Sequence, residues 1–331
     1  MSRPSRALAA LPPAALLLSA CAGSPADDAG AATSDASPAE PAGFPLTVSS
    51  CGTETTLDAP PERIVTIKSS ATEMVIALGA GDRIVGTAFL DGPLPDGAPE
   101  PPVLAERNPS REAVLDLAPD LVYVGWESNL SDDGAGDRSG YEELGISTYV
   151  SPSACQDPAH RPDPLTFEDV FAEIEEVGAI LGAPDEAAAL IAEQRATLDA
   201  VTPTGEGLTA LWYSSGSDTP FVGAGIGAPQ MIMTAAGLEN IAADVADTWT
   251  SLSWEAVAER DPDVIVLVDS AWNSAEHKVE VLESNPVTAA LPAVREQRFL
   301  TVPFPATEAG VRNVDAVVDL TEQLAALPGV S

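Results

Sequence analysis

Residues 110–124 read SREAVLDLAPDLVYV, and residues 253–267 read SWEAVAERDPDVIVL. Six of the fifteen aligned positions are identical, and the two stretches lie 143 residues apart. Each opens on a serine, Ser110 or Ser253, a side chain suited to cap the N-terminus of a helix. Two positions later stands Glu112 or Glu255, in the first turn, where a carboxylate meets the positive end of the helix dipole. Pro119-Asp120 and Pro262-Asp263 then stop the helix. The next run, LVYV or VIVLV, is continuously apolar, of the kind that forms a strand buried on both faces. Helix then buried strand, stated twice, predicts two similar α/β lobes with parallel-type sheets.

The flanking sequence extends both copies. In the first half, RIVTI (63–67), RIVGT (83–87) and ISTYV (146–150) read as strands. SSATEMVIALGAG (69–81) reads as a helix, with Ser70 and Glu73 at capping-box spacing and Gly79 as its stop. In the second half, LTALWYS (208–214) and RFLTV (298–302) are strands, APQMIMTAAGL (228–238) is a helix, and residues 311–327 form a closing amphipathic helix. Between the halves Thr166 caps one helix, which ends at Gly182-Ala183-Pro184. A second helix over 185–201 is about 25 Å long at 1.5 Å per residue, enough to cross between two lobes. The expected fold is therefore two Rossmann-like lobes joined by a long bridging helix. Boundaries are placed at 45–165 for the first lobe, 166–203 for the linking helices and 204–331 for the second.

The N-terminus is not part of that fold. Arg3 and Arg6 precede a short apolar run, interrupted by Pro12 and Pro13, that ends in Leu18-Ser19-Ala20-Cys21. This is the pattern of an export signal, residues 1–21, rather than of a membrane span. Cys21 stands where the lipobox of bacterial lipoproteins places its lipidated cysteine, so a lipid anchor on the outer face of the cell membrane is expected. Residues 22–44 are small, polar and proline-rich with no hydrophobic period, a composition that reads as a tether.

Fifty-one acidic residues against fifteen basic ones give a formal charge of −36, which argues against a nucleic-acid partner. With Cys21 taken by lipid, Cys51 and Cys155 remain as a pair in an exported chain, and a disulfide between them is expected. The two histidines, His160 and His277, have no ligand spacing to one another or to a cysteine, so neither a metal site nor a cofactor is expected. The chain carries no GxSxG, SxxK, HExxH or P-loop lysine, and no enzymatic activity is expected.

Ligands of open parallel sheets meet the carboxyl ends of the strands, so the residues just beyond each strand are the candidates. After RIVTI come Lys68, Ser69 and Ser70; after RIVGT, Phe89; after LVYVG, Trp126. The strand LTALWYS carries Trp212 and Tyr213 and leads to Phe221 and the loop GAGIG, with Gly225 and Gly227. Trp249 lies in the loop feeding the second copy, Trp272 comes after VIVLV, and Arg312 after FLTV. Aromatic faces from both lobes offer a stacking surface. The glycine loop at a helix start, with Lys68 and Arg312, would suit an anion.

The segments RIVTIKSSATEMVIALGAGDRIVGT, REAVLDLAPDLVYVGW, SWEAVAERDPDVIVL and NPVTAALPAVREQRFLTV resemble, in order, the hallmark segments of bacterial binding proteins for iron-siderophores, haem and cobalamin. The resemblance spans most of residues 46–328. It implies a ligand held between two lobes and delivered, by a monomer, to a homodimeric ABC permease with its ATPase. It also implies that Glu112 and Glu255, one per lobe, dock against permease arginines. Within this family YVGWESN, LWYSSGSDTPFVGAGIGAPQM and TVPFPATEAGVR look like an actinobacterial branch associated with the deazaflavin precursor coenzyme F-420-0. That branch implies an anionic aromatic ligand. A siderophore, haem or cobalamin carrier of the same fold is the alternative.

Overall fold

The computed structural model describes residues 43–205 and 207–327. The expected signal segment 1–21, the lipidation site Cys21 and nearly all of the tether 22–44 lie outside the described residues. The chain begins with an antiparallel hairpin, β1 (Leu46–Ser50) and β2 (Thr53–Leu57). The first lobe comes next, with five strands: β3 (Ile64–Ile67), β4 (Ile84–Ala88), β5 (Val103–Ala105), β6 (Leu121–Val124) and β7 (Ser147–Val150). They run parallel throughout, in the order β5-β4-β3-β6-β7. Its helices are α1 (Ser69–Ala77), α2 (Arg111–Asp116) and α3 (Arg138–Glu142). Every residue of β3 and β6 is buried, as their unbroken apolar runs require. The strand order reverses between them, and the carboxyl ends of β3 and β6 therefore flank the crevice where such sheets take ligands.

Two helices join the lobes. In α4 (Phe167–Leu181) Thr166 accepts from the backbone of Asp169, and Gly182 ends the helix in the left-handed conformation. Val170, Phe171, Ile174 and Val177 bury this helix in the apolar cluster that includes Ile64 and Tyr123 of the first sheet. The next helix, α5 (Pro184–Ala200), lies along α4. A Cβ on Gly178 would sit 2.4 Å from the Ala187 side chain, so the two helices approach closely where only glycine fits. On its other side α5 meets the second lobe, where Gln194 donates to the carbonyl of Val311 at 2.8 Å. The link is thus a helix pair, α4 held by the first lobe and α5 reaching the second.

The second lobe comprises β8 (Thr209–Ser215), β9 (Phe221–Gly223), β10 (Glu239–Asn240), β11 (Trp249–Ser251), β12 (Val264–Asp269) and β13 (Phe299–Pro303). Its helices are α6 (Ala228–Ala235), α7 (Trp254–Arg260), α8 (Ala275–Ser284), α9 (Pro292–Arg295) and α10 (Asn313–Ala326). The strand order is β11-β9-β8-β12-β13, with β10 also pairing β8. Strands β8, β10, β12 and β13 are parallel, whereas β9 and β11 form an antiparallel edge. That edge, built from short half-polar segments, has too little apolar period to be read from sequence.

The repeated phrase does the same work in each lobe. Ser110 caps α2 by accepting from the backbone N–H of Ala113, and Ser253 caps α7 by accepting from that of Ala256. The aspartate after each proline does more than end a helix. Asp120 accepts from the backbone of Glu62 and Arg63 at 2.9 and 3.0 Å, fixing the head of β3. Asp263 accepts from the backbone and hydroxyl of Thr209 at 2.9 Å, fixing the head of β8. Each copy therefore pins the neighbouring central strand of its own sheet. The expected disulfide is present: Cys51, in the β1–β2 turn, is bonded to Cys155 in the segment between β7 and α4.

Candidate functional site

The lobes share one apolar cluster, and over the carboxyl ends of β3, β6 and β13 they meet through charged and aromatic side chains. Lys68, the residue after β3, takes φ of 86°, a left-handed backbone uncommon for a residue with a side chain. Its side chain is fully buried. The ammonium lies 2.6 Å from Asp91 and stands over three aromatic rings: Trp126 at 3.5 Å, Phe89 at 4.3 Å and Phe304 at 4.9 Å. A buried cation needs such compensation, from a carboxylate and from ring faces. Gly125 makes the arrangement possible, since a Cβ there would come within 2.5 Å of the Ser70 hydroxyl and 2.8 Å of the Lys68 side chain.

Glu308, carried by the second lobe just beyond β13, crosses to this cluster. One carboxylate oxygen accepts from the indole N–H of Trp126 at 2.5 Å, the other from the Ser70 hydroxyl at 3.3 Å. The Lys68 ammonium is 3.9 Å away. Burial pushes the Glu308 carboxyl up to about 7, against the opposing pull of Lys68, with Asp91 adding to the rise. Asp91 is likewise raised by burial, with Lys68 opposing. A second cross-lobe contact lies alongside. Arg312 donates to both oxygens of Glu73 at 2.5 and 2.6 Å, and to the carbonyl of Pro93 at 2.8 Å. The paired geometry is the strong form of a guanidinium–carboxylate interaction. Ser70 and Glu73, read as a capping box, are thus used differently: α1 has no side-chain cap, and both residues reach across the cleft.

Beside these contacts lies a cavity of about 240 Å³. Its lining includes Ser70, Trp126 and Glu127 from the first lobe, Gly227, Trp249 and Glu308 from the second, and Cys155 and Arg161 from the linking segment. Arg161 is turned toward Asp247 at 3.4 Å, and the backbone N–H of Leu165 donates to Ile226, so the linking segment closes one side. Phe221 stacks on Trp249 with ring centres 5.7 Å apart. Phe89 packs edge-on to Trp126 at 5.6 Å. Ser69, fully buried, accepts from the backbone of Asp91 and so holds the loop that carries Lys68's partner.

Other expected site residues stand elsewhere. Trp212 is fully buried in the apolar cluster between the second sheet and its helices, and Tyr213 is buried on the opposite face of that sheet. Neighbours in a strand point to opposite faces, so neither reaches the cleft. Trp272 is about half-exposed, edge-on to Phe304 at the rim. The glycine loop does not cradle an anion with the amides of 224–226, because those of Ala224, Gly225 and Ile226 donate to Thr248, Val245 and Asp247. A Cβ on Gly225 would meet the Ala243 carbonyl at 2.3 Å, which is why glycine stands there. Lys68 and Arg312, expected to receive an anion, are each closed by a carboxylate. Glu127 and Arg161 carry no signal in the sequence that marks them for the site. Glu308 does stand beyond a strand end, but its partner Trp126 lies 182 residues away.

Comparison with known proteins places these features in context. The model of the periplasmic binding protein family matches residues 64–306. An uncharacterized ABC transporter substrate-binding lipoprotein of Bacillus subtilis, YvrC, is 25% identical over 332 residues, covering 96% of this chain and 95% of its own. A cobalamin-binding protein of Halobacterium salinarum is 32% identical over 243 residues, covering 69% of this chain and 60% of its own. Among solved structures, the ABC-type Fe3+-hydroxamate transport system protein of Saccharomonospora viridis superposes with a TM-score of 0.72 at 28% identity, covering 85% of this chain and 99% of that one.

Proposed function

This chain belongs to the periplasmic binding protein family, and we propose that it holds a corrinoid of the cobalamin type between its lobes for delivery to an ABC importer. Membership makes it a non-catalytic transport component acting outside the cytoplasm. The lipid anchor through Cys21 and the particular permease belong to the proposal.

One observation carries the choice of ligand. The cleft presents tryptophan from each lobe and a cross-lobe carboxylate, while Lys68 and Arg312 already have carboxylate partners. An anionic deazaflavin precursor would need those cations, and the relative named for cobalamin favours the alternative. Haem held through its iron would call for an axial ligand, and among the described residues no His, Met or Tyr lines the cavity. A corrinoid brings its cobalt ligands with it and asks of the protein only apolar surface and hydrogen bonds. The present cavity is below the roughly 300–1,000 Å³ of pockets for drug-sized ligands, so a corrinoid requires the lobes to part.

Glu112 and Glu255 support the transport half of the reading. Both are exposed, and both stand in the first turn of a serine-capped helix, one on each lobe. Such a pair suits a permease of two identical subunits. The test of the whole reading is direct titration with cyanocobalamin, against ferrioxamine and the deazaflavin precursor as competitors. Tight binding of either competitor with none of the corrinoid would replace this assignment.

A further inference from the structure

We propose that Trp126, Ser70 and Glu308 form a receptor for a primary carboxamide, in which Glu308 selects amides over carboxylates. The inference rests on the cleft being the ligand site and names the chemical group that the site reads. Trp126 and Ser70 offer two donors from the first lobe, and Glu308 offers an acceptor from the second. In the closed cleft they satisfy one another directly. Once the lobes part, the donors lack an acceptor and the carboxylate lacks a donor. A primary carboxamide supplies both ends at once: its carbonyl accepts from the indole N–H or hydroxyl, and its NH₂ donates to Glu308. A corrinoid carries several such groups at its rim.

A carboxylate cannot do the same. It would satisfy Trp126 and Ser70 but face the Glu308 charge, and like charges in one desolvated site disfavour binding. The other charges around Glu308 do not cancel this. Lys68 is shared with Asp91, which also feels Arg107. Glu127, on the same wall, is acidic, Arg161 is turned to Asp247, and Arg312 is closed by Glu73. Selectivity therefore depends on whether Glu308 is ionised. In the closed cleft burial pushes its carboxyl up to about 7; a ligand that shuts out water as the lobes meet on it keeps that burial, so the protonated form, which can donate, would admit a carboxylate at mildly acidic pH.

The test uses a small probe pair, nicotinamide and nicotinate, that differ only in this group. The full chain is followed by NMR through the indole N–H of Trp126, identified by its loss in Trp126→Phe. At about pH 8, one unit above the Glu308 value, nicotinamide should shift this resonance, and nicotinate should bind at least about tenfold more weakly, a 1.4 kcal/mol difference. At about pH 6, and in Glu308→Gln at both pH values, the two should come within about threefold of each other. The wild-type pH comparison keeps the test decisive if the variant folds poorly. Equal binding of both probes by the wild type at about pH 8, or no shift with nicotinamide, overturns the receptor. A positive probe result with no binding of cyanocobalamin would refute only the ligand assignment. Cyanocobalamin binding without a nicotinamide shift would refute only the receptor.

Discussion

The indole nitrogen of Trp126 and a carboxylate oxygen of Glu308 lie 2.5 Å apart across the two lobes. With Glu73 and Arg312, they form a polar contact between the lobes, which a large ligand entering the proposed site would have to break. A charge-assisted hydrogen bond contributes roughly 1.5–3 kcal/mol, so closure of the empty cleft and capture of ligand compete for the same groups.

Arg312→Ala leaves the Glu73 carboxylate buried without its partner. Removing one member of a buried pair costs about 3–5 kcal/mol when the site stays dry. In the proposed ligand-binding cycle the lobes separate, which would let water reach Glu73. The cost should therefore appear as opening. Small-angle scattering should show a larger radius of gyration for the ligand-free variant, while thermal unfolding moves little. An unchanged radius together with a large fall in Tm would mean that the ion pair serves the core of the fold.

Stability should decline between about pH 4.5 and pH 7. Burial pushes Glu173, held by Tyr123 at 2.9 Å, up to about 7, as it does Glu308. The ordinary value is 4.5, so between 4.5 and 7 the folded chain binds protons that the unfolded chain has released. The contribution is whole below about 4.5 and is lost as pH rises through 7. A fall on the order of 1–3 kcal/mol per group is expected by urea denaturation. Glu173→Gln keeps an acceptor for Tyr123 and should flatten part of the slope. A variant as pH-sensitive as wild type would assign the effect elsewhere.

The disulfide closes a loop with a sequence separation of 104 residues and ties the hairpin turn to the cavity wall at Cys155. Its removal in Cys51→Ala/Cys155→Ala should cost roughly 2–4 kcal/mol. The segment around Arg161 should also exchange amide hydrogens faster than in wild type. Protection equal to wild type there would show that Gln156, bonded to Glu127 at 2.6 Å, and Arg161 hold the wall unaided.

Glu112→Ala/Glu255→Ala should leave ligand affinity within about twofold of wild type, since neither residue lines the cavity. Uptake into cells or reconstituted vesicles should be lost. Wild-type uptake by the double variant would remove these residues from permease docking.

The repeated phrase made the fold legible because its chemistry is local: a serine cap, a first-turn acid, a proline stop and an apolar strand. The parallel strands β3, β4, β6, β7, β8, β12 and β13 and both linking helices are set by such signals. The hairpin β1–β2, the short parallel strands β5 and β10 and the edge strands β9 and β11 are not, being short or half-polar. Searching strand ends found Lys68, Ser70 and Trp126 beside the cleft for the same reason, because the rule ties position to topology; Trp249, read as part of a loop, lines the cavity from the start of strand β11. Trp212 and Tyr213, expected at the site although read within the strand, do stand inside β8 and are buried on its two faces. The same search assigned Lys68 and Arg312 to an anion, because the carboxylates that close them are distant in sequence: Glu73 pairs with Arg312 across 239 positions. Charge pairing of this kind is fixed by the meeting of the lobes.

The most direct measurement is calorimetric titration of the purified chain with cyanocobalamin, using ferrioxamine as the competing ligand under the same conditions. One corrinoid should bind per chain, with quenching of tryptophan fluorescence and no displacement by ferrioxamine. Stoichiometric binding of ferrioxamine, with no heat and no quenching from cyanocobalamin, would contradict the corrinoid assignment.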